Sequence, residues 1–245
     1  MAAVDTPQQI TLNRSQLDEF DFDGFVESQY HALSTFIARH DIRFAPDDSI
    51  VDIGGGRGYF AKKIADLHAK VKVYETDPKS IEQCRAIGVD AQLVDALKPV
   101  MSGDEKLVCF NLILHHLIGS NEAETARLQE SALTPWNKQF VFVNEYCYQS
   151  FFGSDLSGRL IWAITSSKTL SAIGKVVGRI VPSLRANTFG IGVRFRSSPE
   201  WIAFFERAGF RIVSVVDGEA EPVSLARRLL LIKSIRRDSF LIQSL

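Results

Sequence analysis

The stretch Val51-Asp52-Ile53-Gly54-Gly55-Gly56-Arg57-Gly58-Tyr59-Phe60 constrains the fold of this 245-residue chain more than any other. Ser49-Ile50-Val51-Asp52-Ile53 reads as a short buried strand, and Tyr59-Phe60-Ala61-Lys62-Lys63-Ile64-Ala65 reads as the start of a helix that ends near His68. Between them, glycines at 54, 56 and 58 let the backbone turn tightly and approach a ligand with no Cβ in the way. A helix that begins at such a turn offers unpaired N–H groups and a partial positive charge, so a nucleotide-like guest is expected. The dinucleotide fingerprint needs a third glycine at position 59, where Tyr59 stands. The pattern present is Asp52-x-Gly54-x-Gly56-x-Gly58.

Beyond the turn, strands and helices alternate. Val71 to Asp77 reads as a second strand stopped by Pro78, with a helix over Lys79–Ile87 closed by Gly88. Ala91–Val94 and Lys106–Asn111 form a third and a fourth strand. A helix spans 121–133, Pro135-Trp136 breaks it, and Gln139–Glu145 is a fifth strand. Residues 146–195 break the rhythm: Ser157 to Leu184 reads as one or two amphipathic helices carrying Arg159, Lys168, Lys175 and Arg179. A helix capped by Ser197 or Ser198, with Pro199 in its first turn, then ends at Gly209. Arg211–Val216 and Arg228–Lys233 are the sixth and seventh strands. The expected architecture is a single α/β domain over residues 1–245. It has a seven-stranded, doubly wound, mostly parallel sheet, a helical N-terminal cap over 1–45, and a helical insertion or lid over 146–195. The cap helices are read from Leu17, Phe20, Phe22, Phe25, Tyr30, Leu33 and Phe36.

Ligands of such sheets lie outside the carboxyl ends of the strands, where strand order reverses. The second strand ends in Glu75, 21 residues beyond Gly54, and a carboxylate there accepts hydrogen bonds from a ribose diol. Asp77 fits a turn or cap before Pro78. The third strand ends in Asp95-Ala96, an acceptor for an exocyclic amine beside a small residue that leaves room for a flat ring. The fourth ends in Phe110-Asn111, with Leu112-Ile113-Leu114-His115-His116-Leu117 after it, read as the start of a helix.

Taken in order, these segments resemble class I S-adenosylmethionine (SAM)-dependent methyltransferases from Ile50 to about Glu145, with the last helix and strands extending the likeness to Lys233. The resemblance implies SAM as cofactor, with Asp52, Gly54, Gly56 and Gly58 forming the turn and Gly54 and Gly56 against the methionine part. It further implies Glu75 on the ribose, Asp95 and Ala96 around adenine, and the Asn111 backbone near the methionine amino group. The fourth strand departs from the family in lacking its opening acidic residue, since Leu107 and Val108 stand there.

Methyl transfer from a sulfonium depends largely on positioning, and a base is needed only where the acceptor must lose a proton. His115, His116 and Glu145 are the candidate bases, with Tyr146 and Tyr148 beside the last. Phe151, Phe152, Trp162 and Phe189 in the insertion favour a small, partly apolar acceptor. Arg194-Phe195-Arg196 reads either as an anion contact or as charges flanking a core phenylalanine. An aminopropyltransferase of the same fold, or a SAM-binding regulator without turnover, are the alternatives. A net charge of −1 gives no pull towards nucleic acid, and no basic stripe with stacking aromatics is present. No metal site is expected. Cys84, Cys109 and Cys147 form no C-x-x-C and read as reduced residues of a cytoplasmic protein, monomeric or a homodimer. No run of about 18 apolar residues exists for stable membrane insertion, and the N-terminus lacks the pattern of a signal peptide. The basic amphipathic stretch leaves open a lid, a dimer surface or a membrane-surface contact.

Overall fold

The computed structural model describes residues 23–67, 69–153 and 155–245. Chain order is α1 (Asp23–Arg39), β1 (Ser49–Ile53), α2 (Tyr59–Ile64), β2 (Lys70–Glu75), α3 (Pro78–Ala86), β3 (Asp90–Leu93), β4 (Glu105–Asn111), α4 (Glu122–Leu133) and β5 (Phe140–Ser150). Then come α5 (Leu156–Ser166), α6 (Lys168–Ile180), α7 (Ser198–Arg207), β6 (Phe210–Val216), α8 (Leu225–Arg228) and β7 (Ile232–Ser244). The seven strands form one sheet in the order β3-β2-β1-β4-β5-β7-β6. Only β7 runs antiparallel to its neighbours, β5 and β6. Sequence order reverses between β1 and β4, so the crevice of a doubly wound sheet opens beyond the ends of those two strands.

Both sheet faces are covered. Phe36, Leu33, Phe60 and Ile64 of α1 and α2 pack with Ile50, Phe142 and Leu241 on one face. Trp136, Trp201, Phe205 and Leu133 pack with Val51, Val108, Val141 and Phe240 on the other. β1 is buried along its whole length, as expected of a strand covered on both faces. Asp77 caps α3 by accepting from Ser80 N at 3.0 Å, with Pro78 in the first turn where its missing N–H costs nothing. Ser197 caps α7, and Asn121 caps α4 through Glu124 N at 2.9 Å.

Several expected boundaries move. β5 does not stop at Glu145: Tyr146 to Ser150 continue it because β7 offers pairing partners from Arg237 to Ile232. The seventh strand is not Arg228–Lys233. Leu225–Arg228 is a helical turn, and the strand proper runs from Ile232 to Ser244. Its Arg236-Arg237-Asp238 run looks unlike a central strand, but Arg236 pairs with Asp238 at 2.9 Å and Arg237 lies near Glu221 at 3.5 Å. The helix after the glycine turn is only α2, continued by a 3-10 turn over Ala65–Leu67. Its expected end at His68 lies outside the described residues, as do Leu17, Phe20 and Phe22 of the expected cap helices. The Leu-His-His-Leu segment makes a single 3-10 turn, Leu114–His116, and the next α-helix begins at Glu122.

The insertion is an α5–α6 hairpin tied to the segment 188–196. Gly190 N donates to Thr165 O and to Ser171 Oγ, both at 2.8 Å. At its root, Arg194 is 1 % exposed and clamps two elements together. Its guanidinium binds Glu122 of α4 at 2.9 Å and is paired with Asp155, the residue before α5. Gly158 sits against this clamp, because a Cβ there would meet Phe195 O at 2.1 Å.

Candidate active site

Ile53, Glu75 and Asn111 end β1, β2 and β4, and Glu145, inside the longer β5, follows Asn144, the register partner of Asn111, so one edge of the parallel strands gathers most of the expected site residues. The glycine turn adopts the left-handed backbone its composition allows: φ is 66° at Gly54, 54° at Gly56 and 80° at Gly58. Two of these glycines are needed for different reasons. A Cβ at Gly54 would strike Ile113 Cδ1 at 2.3 Å, whereas a Cβ at Gly56 would meet nothing within 4 Å. Gly54 is therefore closed over by the loop after β4, and Gly56 faces open space.

Glu75 reaches back onto that turn. Its Oε2 accepts from Gly56 N at 3.0 Å, and its Oε1 accepts from Thr76 N at 2.6 Å and Asp77 N at 3.0 Å. The carboxylate is thus held at the mouth of the turn by three backbone donors. Asp95 lies just beyond β3 and accepts from Leu97 N at 2.9 Å, beside buried Ala96.

Beneath the turn, Asp52 is wholly buried. Its Oδ1 accepts from Asn111 Nδ2 at 3.1 Å, and its Oδ2 lies where a Cβ on Gly55 would come within 2.5 Å. Burial pushes this carboxyl up to about 7, the Asn111 hydrogen bond opposes the rise, and the charge of Glu75 adds to it. Among the described residues, Asp52 Oδ2 and Asn111 Oδ1 are both buried without a hydrogen-bond partner. The Asn111 side chain therefore serves the floor of the turn.

The loop after β4 is aimed by an unusual backbone. Leu112, a non-glycine residue, has φ 56°, and its N–H donates to Asn144 O at 2.8 Å. The turn Leu114–His116 comes next, and it brings two separately expected residues together. His115 Nδ1 lies 2.5 Å from Glu145 Oε2, while Glu145 Oε1 accepts from Leu114 N at 2.7 Å. With Glu145 ionised, this contact places a proton on Nδ1, and in the neutral ring that leaves Nε2 as the acceptor. Both side chains are deeply buried, His115 at 3 % exposure and Glu145 at 0 %. His116 lies against His115, ring centroids 4.1 Å apart, but its Nδ1 has no partner among the described residues. Burial and then the neighbouring His115 hold His116 well below the ordinary imidazole range, so it is a neutral packing group.

Aromatic side chains wall this pair. Phe195 approaches His115 at 4.9 Å and stacks on Tyr148 at 4.3 Å, with Tyr146 at 6.0 Å from Phe195. Burial pushes the Tyr148 phenol up, which keeps it neutral. Arg194 and Arg196 do not present charges to an acceptor. Arg194 is spent on Asp155 and Glu122, and Arg196 lies over Trp201 and Phe204, each at 4.7 Å. Burial lowers Arg196 to about 10.

No protein-family model and no curated protein sequence matches this chain. Solved structures do. One is the structure of LepI in complex with SAM, 13% identical, with a TM-score of 0.52 over 82% of this chain and 44% of that one. Geranyl diphosphate C-methyltransferase from Streptomyces coelicolor A3(2), solved with Mg2+, geranyl diphosphate and S-adenosylhomocysteine, is 13% identical. It aligns over 95% of this chain and 86% of that one at a TM-score of 0.53. Magnesium protoporphyrin IX methyltransferase from Synechocystis PCC 6803, with bound S-adenosylhomocysteine, is 11% identical, with coverages of 96% and 90% and a TM-score of 0.55. This chain has the class I methyltransferase fold. At such identities the likeness is one of fold, and the chain spans less than half the length of LepI.

Within this methyltransferase fold, two features escape a reading of the sequence. The pairing of His115 with Glu145 joins residues 30 positions apart, and nothing local marks it. The wall built by Phe195 comes from a segment whose place depends on the Arg194 clamp. A weak signal existed for the latter, since Asp155 is the last acidic residue before Glu200 and had to find a cation.

Proposed function

We propose that the chain is a SAM-dependent methyltransferase acting on an oxygen or nitrogen of a small, partly apolar acceptor. The observation that carries this reading is the Glu75 carboxylate seated on Gly56 N–H at the open side of the glycine turn. The residues fit such a cofactor. Gly56 leaves room for close approach, Glu75 would hold the ribose hydroxyls, and Asp95 with Ala96 would face the adenine edge. When bound, SAM supplies an electrophilic methyl group. The chain's own work is to position the acceptor and to manage its proton.

In this reading His115 is the base for a hydroxyl or protonated amine acceptor: Glu145 holds the Nδ1 proton, and Nε2 accepts the acceptor's proton. The 3 % exposure of His115 favours a second reading, in which the pair only anchors the loop that closes over Gly54. The acceptor would then be a nucleophile that needs no base. The pH profile of turnover separates the two.

Calorimetry with SAM and S-adenosylhomocysteine tests the cofactor. Both are expected to bind, and Glu75→Ala is expected to weaken binding roughly ten- to a hundredfold, the worth of one or two charge-assisted hydrogen bonds. Absence of binding by either compound refutes the proposal. Isotope-labelled SAM incubated with a cell extract distinguishes an enzyme from a regulator, because only an enzyme moves the label onto an extract component.

A further inference from the structure

Helix α6 packs in an inverted sense. Its buried positions are Ser171 and Gly178, with Gly174 against Phe189, so the helix meets the body of the protein through small residues. Its large apolar residues point the other way. Leu170, Ile173, Val177 and Ile180, spaced three, four and three apart, form one stripe with Val176 beside it. All five are exposed, Ile173 at 56% and Ile180 at 77%. An ordinary surface helix buries such a stripe, and here it is turned to solvent.

Further exposed apolar residues lie on an element tied to the turn after α6. Arg227 Nε donates to Ser183 O at 3.0 Å and so ties α8 to the turn after α6. On α8 and just after it, Leu225 is 84% exposed and Leu229 79%. Arg228 lies 5.9 Å over the Phe151 ring, next to exposed Phe152.

The segment that builds this ridge carries charge of one sign. Residues 156–199 contain no Asp or Glu. Arg159, Lys168, Lys175, Arg179 and Arg185 are all exposed there, and the turn at α8 adds Arg228. By helical spacing, Lys168, Lys175 and Arg179 share one side of α6, between its packed face and the Val176 edge of the stripe. Long cationic side chains at the edge of an apolar face suit an interface where hydrocarbon meets anionic headgroups.

We propose that this face, centred on Ile173, Val177 and Ile180 and rimmed by Lys168, Lys175 and Arg179, docks the protein on an anionic lipid bilayer. The docking is peripheral. α6 has 13 residues, and no helix among the described residues is long and apolar enough to cross a membrane. A second copy of the chain fits the face poorly, because an isologous contact would set the same lysines and arginines against each other. A lid over the chain's own site would direct the stripe inward, where Ser171, Gly174 and Gly178 lie instead. The proposal does not rest on the reading of the cofactor site.

Sedimentation of the full chain with lipid vesicles tests it, without cofactor or acceptor. Binding is expected to vesicles of phosphatidylcholine with roughly 30% phosphatidylserine, to be much weaker with phosphatidylcholine alone, and to fall with added salt. Ile173→Asp with Ile180→Asp is expected to lower partitioning about tenfold or more. Lys175→Glu with Arg179→Glu lowers it by about fivefold or more per charge at low salt. Lys138→Glu, a charge change before β5 at the other end of that strand, leaves it unaltered. All these positions are exposed, so the unfolding midpoint stays in place and reports that each variant is folded. Failure to bind anionic vesicles overturns the proposal, as does binding that the isoleucine changes do not move. A solution dimer that Ile173→Asp dissociates overturns it in favour of a second copy on this face.

Discussion

The buried carboxyl beneath the glycine turn gives the chain a specific dependence of stability on pH. Asp52 is wholly buried, accepts one hydrogen bond from Asn111, and has its proton affinity raised from 3.8 to about 7 by burial. The atoms left without partners, Asp52 Oδ2 and Asn111 Oδ1, are both acceptors, so a proton on the carboxyl supplies the donor this pair lacks. Between the unfolded and folded values the native state holds a proton that the unfolded chain releases. Stability from this group is therefore fully present below about pH 4 and is lost as pH rises through about 7. The full change corresponds to roughly 4 kcal/mol, and relaxation around the charged group makes 2–4 kcal/mol a realistic range. Asp52→Asn keeps the neutral shape and removes the titration. Denaturant unfolding of both proteins from roughly pH 4 to pH 8 reads the difference, in which contributions from all other groups cancel. The variant should match the parent near pH 4 and exceed it by about 2–4 kcal/mol at pH 8. A difference that stays constant across this range would refute the assignment of a protonated Asp52.

Three further outcomes rest on the same geometry. Glu145→Gln presents an amide to His115 Nδ1 and moves the imidazole proton to Nε2; with an acceptor that must be deprotonated, kcat should drop by about 10²–10⁴ in assays with labelled SAM. If the pair only anchors the loop, kcat changes little and stability alone suffers. Arg194→Leu leaves buried Asp155 with only the exposed Arg159 at 3.5 Å and should cost up to about 3–5 kcal/mol in denaturant unfolding, with proteolysis starting within 156–190. Gly54→Ala forces a side chain into φ 66° and onto Ile113 Cδ1, so about 1–3 kcal/mol of stability should be lost. Trimming Ile113 in the same chain should recover only the steric part.

Local sequence carried the frame of this protein. A strand, a glycine turn and a helix at 49–64 came from residue types alone, because glycine accepts those backbone angles at the least cost and the apolar run needs burial on two faces. The alternation after it led to a parallel sheet, and the short caps Asp77 and Ser197 stood beside the helices they start. Where pairing across the sheet decides, local pattern stops short. Tyr146–Ser150 become strand because β7 lies beside them, and the charged start of β7 is tolerated because Arg236 and Asp238 neutralise each other.

The same division holds for function. By itself the sequence determined the turn over 54–58, the carboxylate of Glu75 at the next strand end and the order of the segments, since each depends on neighbours in the chain. Only the tertiary structure decided that His115 meets Glu145, that Arg194 is a clamp rather than an anion contact, and that α6 turns its apolar stripe outward. Each of those outcomes depends on which distant surface lies opposite a side chain, and periodicity shows that a helix has an apolar face without saying what that face meets.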